Sequence, residues 1–250
     1  MEITTDAVTI RTPEGKTMPC HLAAPTAGGP YPAVVVVMEA FGLNAHIRAV
    51  ADRIAGEGYV AIAPDLYHRF GSDTAAYTDM PKALDLLKRL DAEASVWSRP
   101  GGAIMDEVGA VIAHLKGRRD VKGDRIGIVG FCMGGTVAFR AASHHPADVK
   151  AVVSFYGGGI AGDSPTAPIT AAERIAAPVL ALFGEKDQMI PEAQVQRIEE
   201  TMKRLGKTYE GRVYQGAGHG FFCDERGSYH PESAKDAWGR LTTWFSKYLK

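Results

Sequence analysis

The sequence predicts an α/β fold in which a mostly parallel sheet is covered by helices on both faces. Short apolar strand patterns alternate with amphipathic helix patterns along most of the 250 residues, which favours parallel strands joined by helices. Residues 33–38 are Ala-Val-Val-Val-Val-Met, a β-branched run typical of a strand buried on both faces. In residues 125–138 an apolar strand, a glycine-rich turn and the start of a helix follow one another directly.

The remaining elements follow from local periodicity and turn residues. Residues 7–10 and 18–23 predict an antiparallel hairpin at one edge of the sheet, around the turn Pro13-Glu14-Gly15. Strands are predicted at 33–38, 59–63, 126–129, 149–156, 178–183 and 209–214, and helices at 45–56 after Asn44, 81–90, 104–115, 136–144, 191–205 and 231–248. In the helix at 81–90, Leu84, Leu87 and Leu90 stand at helical spacing, and residues 97–102 break the pattern. Neither a repeat nor a linker is evident, so we expect a single domain spanning 1–250.

Composition limits the classes of partner and compartment. Hydrophobic residues make up 46% and charged residues 23%, as in ordinary globular proteins, and the net charge of −1 suggests no nucleic acid partner. No apolar run is long enough to span a membrane, and the N-terminus does not resemble a secretory signal. The three cysteines lack metal-ligand spacing, so we expect free thiols in the cytoplasm, no metal and no cofactor. The oligomeric state is left open.

Cys132 occupies the turn of the strand–turn–helix segment, in the frame Gly130-Phe-Cys-Met-Gly134. A sharp turn of this kind brings backbone close to backbone, so we expect side chains at the glycines to collide. The following helix N-terminus favours an anion, here the reactive thiolate. The pattern is that of the nucleophile elbow of α/β-hydrolases, with cysteine in place of serine. An inert core cysteine is the ordinary alternative, and a phosphate loop is disfavoured because its Lys-Ser/Thr ending is missing.

Three further reactive side chains follow predicted strands directly, at the edge where ligands bind in such sheets. His219, in a glycine-rich loop, is the candidate general base and acid. Asp187 is the candidate that orients the imidazole, with Glu185 as the alternative. Glu39 is either a second acid beside the thiol or a solvated loop charge. The order nucleophile, acid, histidine is the one that α/β-hydrolases use.

The backbone N–H groups of Ala40 and Met133, one from each loop, are the candidates for an oxyanion hole.

Four segments together resemble the dienelactone hydrolase family: Glu-Ala-Phe-Gly, Gly-Phe-Cys-Met-Gly-Gly, Gly-Glu-Lys-Asp and Gly-Ala-Gly-His-Gly-Phe. The resemblance covers nearly the whole chain. It implies an α/β-hydrolase fold and a catalytic triad of Cys132, Asp187 and His219. It also implies that Glu39 contacts the resting thiol and helps form the thiolate when substrate arrives.

The sequence departs from that family at its carboxylate-binding arginines. Residues 80–84 contain no arginine, and Cys223 occupies the position four residues after His219. Arg69 and Arg226 could substitute, and we take them, with Phe41, as candidate substrate-binding residues.

The sequence thus predicts a hydrolase that cleaves a small-molecule ester or lactone through an acyl-thioester on Cys132. Residues 66–97 are expected to cover the site. Two alternatives on the same fold are a non-catalytic ligand-binding protein and a thiol redox sensor, in which Cys223 would be the resolving partner of Cys132.

Overall fold

The centre of the fold is an eight-stranded sheet, seen in a computed structural model that describes residues 1–96 and 102–250. The strands are β1 (Ile3–Arg11), β2 (Thr17–Pro25), β3 (Tyr31–Val37), β4 (Val60–Pro64), β5 (Val121–Phe131), β6 (Val149–Phe155), β7 (Val179–Gly184) and β8 (Tyr209–Tyr214). The α-helices are α1 (Ala45–Gly56), α2 (Met80–Ala94), α3 (Ala103–Lys116), α4 (Met133–His144), α5 (Glu192–Arg204) and α6 (Pro231–Leu249). Two short 3₁₀ helices span His68–Phe70 and Pro168–Arg174.

The strand order is β1-β2-β4-β3-β5-β6-β7-β8, and every pair from β4 to β8 is parallel. β1 and β2 form the predicted antiparallel hairpin at the edge, and β2 also pairs antiparallel with β4. The hairpin strands are longer than predicted, because their pairing continues from Ile3 opposite Pro25 to Arg11 opposite Thr17. The fold class is confirmed.

The topology brings the candidate reactive residues to one edge of the sheet. Glu39 follows β3 and Cys132 follows β5, and these two strands are neighbours. Asp187 follows β7 and His219 follows β8, and these strands are also neighbours. Because the strands are parallel, their carboxyl ends share one edge.

Helix α1 forms as its sequence predicts. The Asn44 side chain accepts a hydrogen bond from the Ile47 N–H at 3.1 Å and caps the first turn. The residues predicted for its inner face are buried: Ile47, Val50, Ala51 and Ile54.

Helix α2 differs from its prediction. Its buried stripe is formed by Ala83, Leu86 and Leu90, whereas Leu84 is 44% exposed. A helix turns about 100° per residue, so Leu84 stands well to one side of that stripe. The predicted break at 97–102 lies outside the described residues, except for Gly102, which precedes α3 as its N-cap.

All strands within the described ranges join the same sheet. The expectation of a single domain over 1–250 is consistent with this and stays a prediction. Among the helices of residues 1–96 and 102–250, none is long and apolar enough to cross a bilayer.

Candidate active site

Cys132 stands at the junction of β5 and α4 in a strained conformation. Its φ of 55° and ψ of −120° lie in a region that residues with a side chain rarely adopt. The turn is held by the Cys132 N–H, which donates to the Phe155 carbonyl at 3.0 Å. This geometry is that of a nucleophile elbow, in which the strained turn presents the side chain at the sheet edge.

The flanking glycines are required by close backbone contacts. A Cβ on Gly130 would lie 1.9 Å from the Gly134 carbonyl oxygen. A Cβ on Gly134 would lie 2.4 Å from the Val37 carbonyl oxygen, at the end of β3. The Gly-x-Cys-x-Gly pattern therefore has the steric cause that the sequence suggests, and it fixes Cys132 against the neighbouring strand.

His219 pairs with Asp187 across the ends of β7 and β8. The distance from His219 Nδ1 to Asp187 Oδ2 is 2.8 Å, and the carboxylate is fully buried. A second contact orients the carboxylate, since Asp187 Oδ1 accepts from the Met189 N–H at 2.9 Å. The alternative acid, Glu185, instead accepts from the Gly216 N–H at 2.8 Å, so the structure pairs the histidine with Asp187.

The environment of His219 favours its charged form. Burial alone would lower the pKa of the imidazole, but attraction to the Cys132 thiolate and the Asp187 hydrogen bond outweigh it and raise the pKa to about 10. The other ring nitrogen, Nε2, is buried and makes no hydrogen bond to a described residue. The buried Asp187 carboxylate at Nδ1 therefore favours the protonated imidazole.

The Glu39 carboxylate is fully buried and contacts two side chains, a neutral tyrosine and a cationic arginine. Tyr77 donates its hydroxyl to Oε2 at 3.0 Å, and Arg226 Nη1 lies 3.3 Å from Oε1. The resemblance implies a contact between Glu39 and the resting thiol, but the hydrogen bonds of the described residues do not include one. Tyr77 and Arg226 instead contact one carboxylate oxygen each.

Arg226 and Phe41 also lie beside this group. The Arg226 guanidinium carbon is 5.2 Å from the Phe41 ring centroid and 5.8 Å from that of Tyr77. The two rings pack together with centroids 4.6 Å apart. Arg226 and Phe41 thus lie together beside Glu39, and Tyr77 comes from the segment 66–97 that was expected to cover the site. That Arg226 and Phe41 bind substrate stays a prediction.

Arg69 does not join the site. Its Nε lies 2.8 Å from Glu107 on α3, and its Nη1 lies 2.7 Å from Glu14 in the β1–β2 turn. Two carboxylates already bind this almost fully buried guanidinium. The prediction that Arg69 binds substrate is therefore not supported, since its charge is already paired.

The candidate oxyanion donors are available. The hydrogen bonds of residues 1–96 and 102–250 do not engage the backbone N–H groups of Ala40 and Met133. The Ala40 carbonyl accepts from the buried Tyr67 hydroxyl at 2.8 Å, which fixes the loop after β3. Met133 is the first residue of α4, so its N–H stands at a helix N-terminus, where negative charge is favoured.

Three tyrosines near the site were missed by the sequence analysis. Tyr156 is fully buried, with a φ of 38° and a ring centroid 5.1 Å from that of His219. Burial and the charge of Glu39 hold the pKa of Tyr156 well above its usual value. Its position directly after β6 was the available signal. Tyr67 and Tyr77 lie in an irregular segment that shows no hydrophobic periodicity.

A mostly parallel sheet with this elbow, followed by an acid and a histidine after later strands, defines an α/β-hydrolase. The sequence model of the dienelactone hydrolase family matches residues 18–249, and the chain belongs to that family. The resemblance seen in the sequence is confirmed.

Relatives that match most of the chain agree with this assignment. Two proteins assigned provisionally as carboxymethylenebutenolidases, from Methylorubrum extorquens and a Synechocystis strain, are each 40% identical over 92% of this chain. The matches cover 77% and 92% of those relatives, respectively. A crystal structure from Klebsiella pneumoniae, assigned provisionally as a dienelactone hydrolase, has a TM-score of 0.87 and 37% identity, covering 99% of this chain and 100% of that one. The enzyme class is that of carboxylic ester and lactone hydrolases.

Proposed function

We propose that this protein hydrolyses a small carboxylic ester or lactone through Cys132, with an acyl-thioester intermediate. The observation that carries the proposal is the strained elbow position of Cys132 beside His219, whose pKa is raised to about 10 while its Nδ1 is bonded to Asp187. At neutral pH an imidazolium with that pKa stabilises a thiolate, which is the nucleophilic form of cysteine. Membership of a hydrolase family supports the same reaction class.

In the acylation step, the Cys132 sulfur attacks the carbonyl carbon of the substrate. The N–H groups of Ala40 and Met133 would donate to the oxygen that becomes negative. His219 would then give its Nε2 proton to the leaving alkoxide as the C–O bond breaks. Asp187 keeps Nδ1 protonated throughout, so the proton is transferred from the nitrogen nearer the thiol.

The deacylation step follows from the cause of the His219 pKa. Attraction to the Cys132 thiolate is the largest influence that raises it, and an acylated sulfur has no such charge. The imidazole, neutral after giving its Nε2 proton to the leaving group, is therefore not drawn back to its charged form by the sulfur and can act as a base toward water. As Nε2 takes a proton from that water, the water oxygen attacks the thioester carbonyl, and the C–S bond then breaks to release the acid product and the Cys132 thiolate.

We further propose that Arg226 binds an acidic group of the substrate, with Phe41 as an apolar wall. Arg226 stands beside Glu39 and is mostly buried, where a substrate carboxylate could replace the Glu39 contact. The role of Glu39 would then depend on substrate: paired with Arg226 at rest, and released near the thiol when a carboxylate arrives.

We propose the cytoplasm as its compartment. All three cysteines, Cys20, Cys132 and Cys223, are free thiols, as expected of a reducing environment.

Trapping the intermediate tests the mechanism. The enzyme is mixed with an activated aryl ester, quenched in acid, digested and analysed by mass spectrometry. We expect the acyl group on the peptide that contains Cys132, with loss of the adduct after hydroxylamine treatment, as for a thioester. An acyl group on another residue, or turnover that continues undiminished in Cys132→Ala, would contradict the proposal.

A further inference from the structure

A cluster of three possible metal ligands lies beside the candidate active site and takes no part in the proposed reaction. His46 comes from the first turn of α1, whereas Cys223 and Asp224 come from the loop between β8 and α6. One ligand atom from each residue lies within 4.8 Å of the other two. The residues are far apart in sequence, which is why their spacing gave no metal motif.

We propose that His46, Cys223 and Asp224 form a binding site for a divalent cation of the zinc class. An imidazole nitrogen, a thiolate and a carboxylate are the three donor types that Zn²⁺ uses in proteins. With the thiol deprotonated, the two negative charges of Cys223 and Asp224 would balance the charge of the cation. Water would complete a tetrahedral shell.

The distances suit such a shell after a small adjustment. His46 Nδ1 lies 3.4 Å from Asp224 Oδ1. Two ligands on a tetrahedral zinc ion are about 3.4 Å apart when each bond is about 2.1 Å long. The Asp224 side chain is 70% exposed and can turn to accommodate the ion. The sulfur needs to move by roughly 1 Å at most, given bonds of about 2.3 Å to sulfur.

His46 has unused ligand capacity. Its side chain is 6% exposed, yet Nε2 is buried and has no hydrogen-bond partner among the described residues. A buried polar atom without a partner is uncommon in native proteins and requires a reason. Both ring nitrogens are poorly satisfied within residues 1–96 and 102–250, where Nδ1 has only the 3.4 Å contact to Asp224. A bound cation would satisfy one nitrogen directly and fix the tautomer for the other.

The site borders the Glu39 group. Tyr77, which donates its hydroxyl to Glu39 at 3.0 Å, also packs against His46, with the two ring centroids 6.4 Å apart. When the cation binds, the Cys223 S–H bond breaks, the sulfur forms a bond to the metal and the proton leaves to solvent.

Cobalt(II) binding tests the site without relying on activity. Cys132→Ser serves as the starting protein, because a metal could otherwise bind Cys132 and His219. Titration with Co²⁺ should give an absorption band for thiolate-to-cobalt charge transfer, saturating at one ion per chain. Adding Cys223→Ser should abolish the band, and adding His46→Gln should weaken binding by more than the roughly 10–100-fold expected for loss of an outer ligand partner. Adding Cys20→Ser, which changes a buried thiol on β2, should leave the band unchanged.

The outcomes separate the possibilities. Absence of the band in Cys132→Ser, or its persistence in Cys132→Ser with Cys223→Ser, would overturn the site. Adding Asp224→Asn to Cys132→Ser should also weaken Co²⁺ binding, and an unchanged affinity would overturn the role of Asp224 as a ligand. Metal binding requires no hydrolase activity, so this proposal can fail or succeed independently of the proposed function.

Discussion

The Asp187 carboxylate holds Nδ1 of His219 at 2.8 Å and is itself fully buried. In the proposed mechanism, this contact leaves Nε2 as the nitrogen that exchanges a proton at Cys132. The choice of Asp187 over Glu185 follows from the turn after β7, because Glu185 binds the backbone of the His219 loop through Gly216. One acid therefore orients the ring, and the other holds the loop that supplies it.

Cys132→Ala should abolish ester hydrolysis while leaving the fold intact. We expect kcat/KM to fall by about 10³-fold or more, because the nucleophile is lost. The side chain is small and 9% exposed, so little packing is lost. Steady-state kinetics and thermal unfolding of the variant check both statements.

Cys20→Ala is the matched control. Burial raises the pKa of Cys20 to about 12, so this thiol is unreactive. The control should hydrolyse esters at the wild-type rate. Activity in Cys132→Ala close to wild type, or its loss in the control, would rule out the assignment of the nucleophile.

The charge of His219 should make its contribution to stability depend on pH. Its pKa rises from 6.5 to about 10 on folding, so the folded state binds the proton more tightly. The resulting stabilisation is complete below about pH 6.5 and is lost as the pH rises through about 10. The difference in free energy of unfolding between wild type and His219→Gln should therefore shrink over that range. Urea denaturation at several pH values measures it, and a constant difference would contradict the ion pair.

Gly134→Ala should destabilise the protein and lower activity. The added methyl group would lie 2.4 Å from the Val37 carbonyl oxygen and 2.5 Å from that of Met38, so the elbow or β3 must shift. We expect a loss of about 2–3 kcal/mol in the free energy of unfolding, as for an overpacked core.

Gly239→Ala provides the comparison, because a Cβ at that position in α6 meets nothing within 4 Å. It should stabilise the helix by about 0.5–1 kcal/mol. Denaturant unfolding of both variants measures the contrast, and equal stability of Gly134→Ala and wild type would refute the steric argument.

Much of this arrangement can be predicted from sequence because it is local. The Gly-x-Cys-x-Gly frame encodes a strand, a sharp turn and a helix within a few residues. Likewise, Glu39, Asp187 and His219 lie two to five residues after the ends of strands, and parallel strands bring such positions to the same edge. Such patterns can be recognised in the sequence because they depend on neighbouring residues and on backbone geometry.

The parts that could not be predicted depend on long side chains and distant partners. Arg69 had the right charge for a substrate clamp, but the sequence does not reveal that Glu107 on α3 would bind it. Tyr77 reaches Glu39 from an irregular segment that has no periodicity to place it. Leu84 has helical spacing with Leu87, yet a stripe shifted by one residue packs against the core. Hydrophobic periodicity identifies the helix without fixing its rotation.

Arg226→Ala should reveal whether the substrate is acidic. If Arg226 binds a substrate carboxylate, the variant should have a higher KM for carboxylate-bearing esters and an unchanged KM for neutral esters of the same size. Loss of a charged hydrogen bond of this kind is expected to raise KM by about 10–100-fold. A pair of matched esters, assayed with wild type and variant, makes the comparison. An equal effect on both esters would show that Arg226 acts through Glu39 instead.

Glu39→Gln should separate the effect of this carboxylate on the reactivity of the resting Cys132 thiol from its contribution to ester turnover. The substitution keeps the shape of the side chain and removes a negative charge from the group that contains Cys132, Tyr77 and Arg226. Because Arg226 would then lack its 3.3 Å partner, its positive charge would act on the Cys132 sulfur without compensation. The resting thiolate should become more favourable, and alkylation by iodoacetamide should become faster than in wild type.

Ester turnover should fall, since Glu39 is no longer available as a charged partner for Arg226 or as a proton acceptor. Both rates are measured across the same pH range, with Glu200→Gln as a control for the loss of an exposed carboxylate on α5. Unchanged alkylation together with unchanged turnover in Glu39→Gln would mean that this buried carboxylate serves only to hold Tyr77 and Arg226 in place.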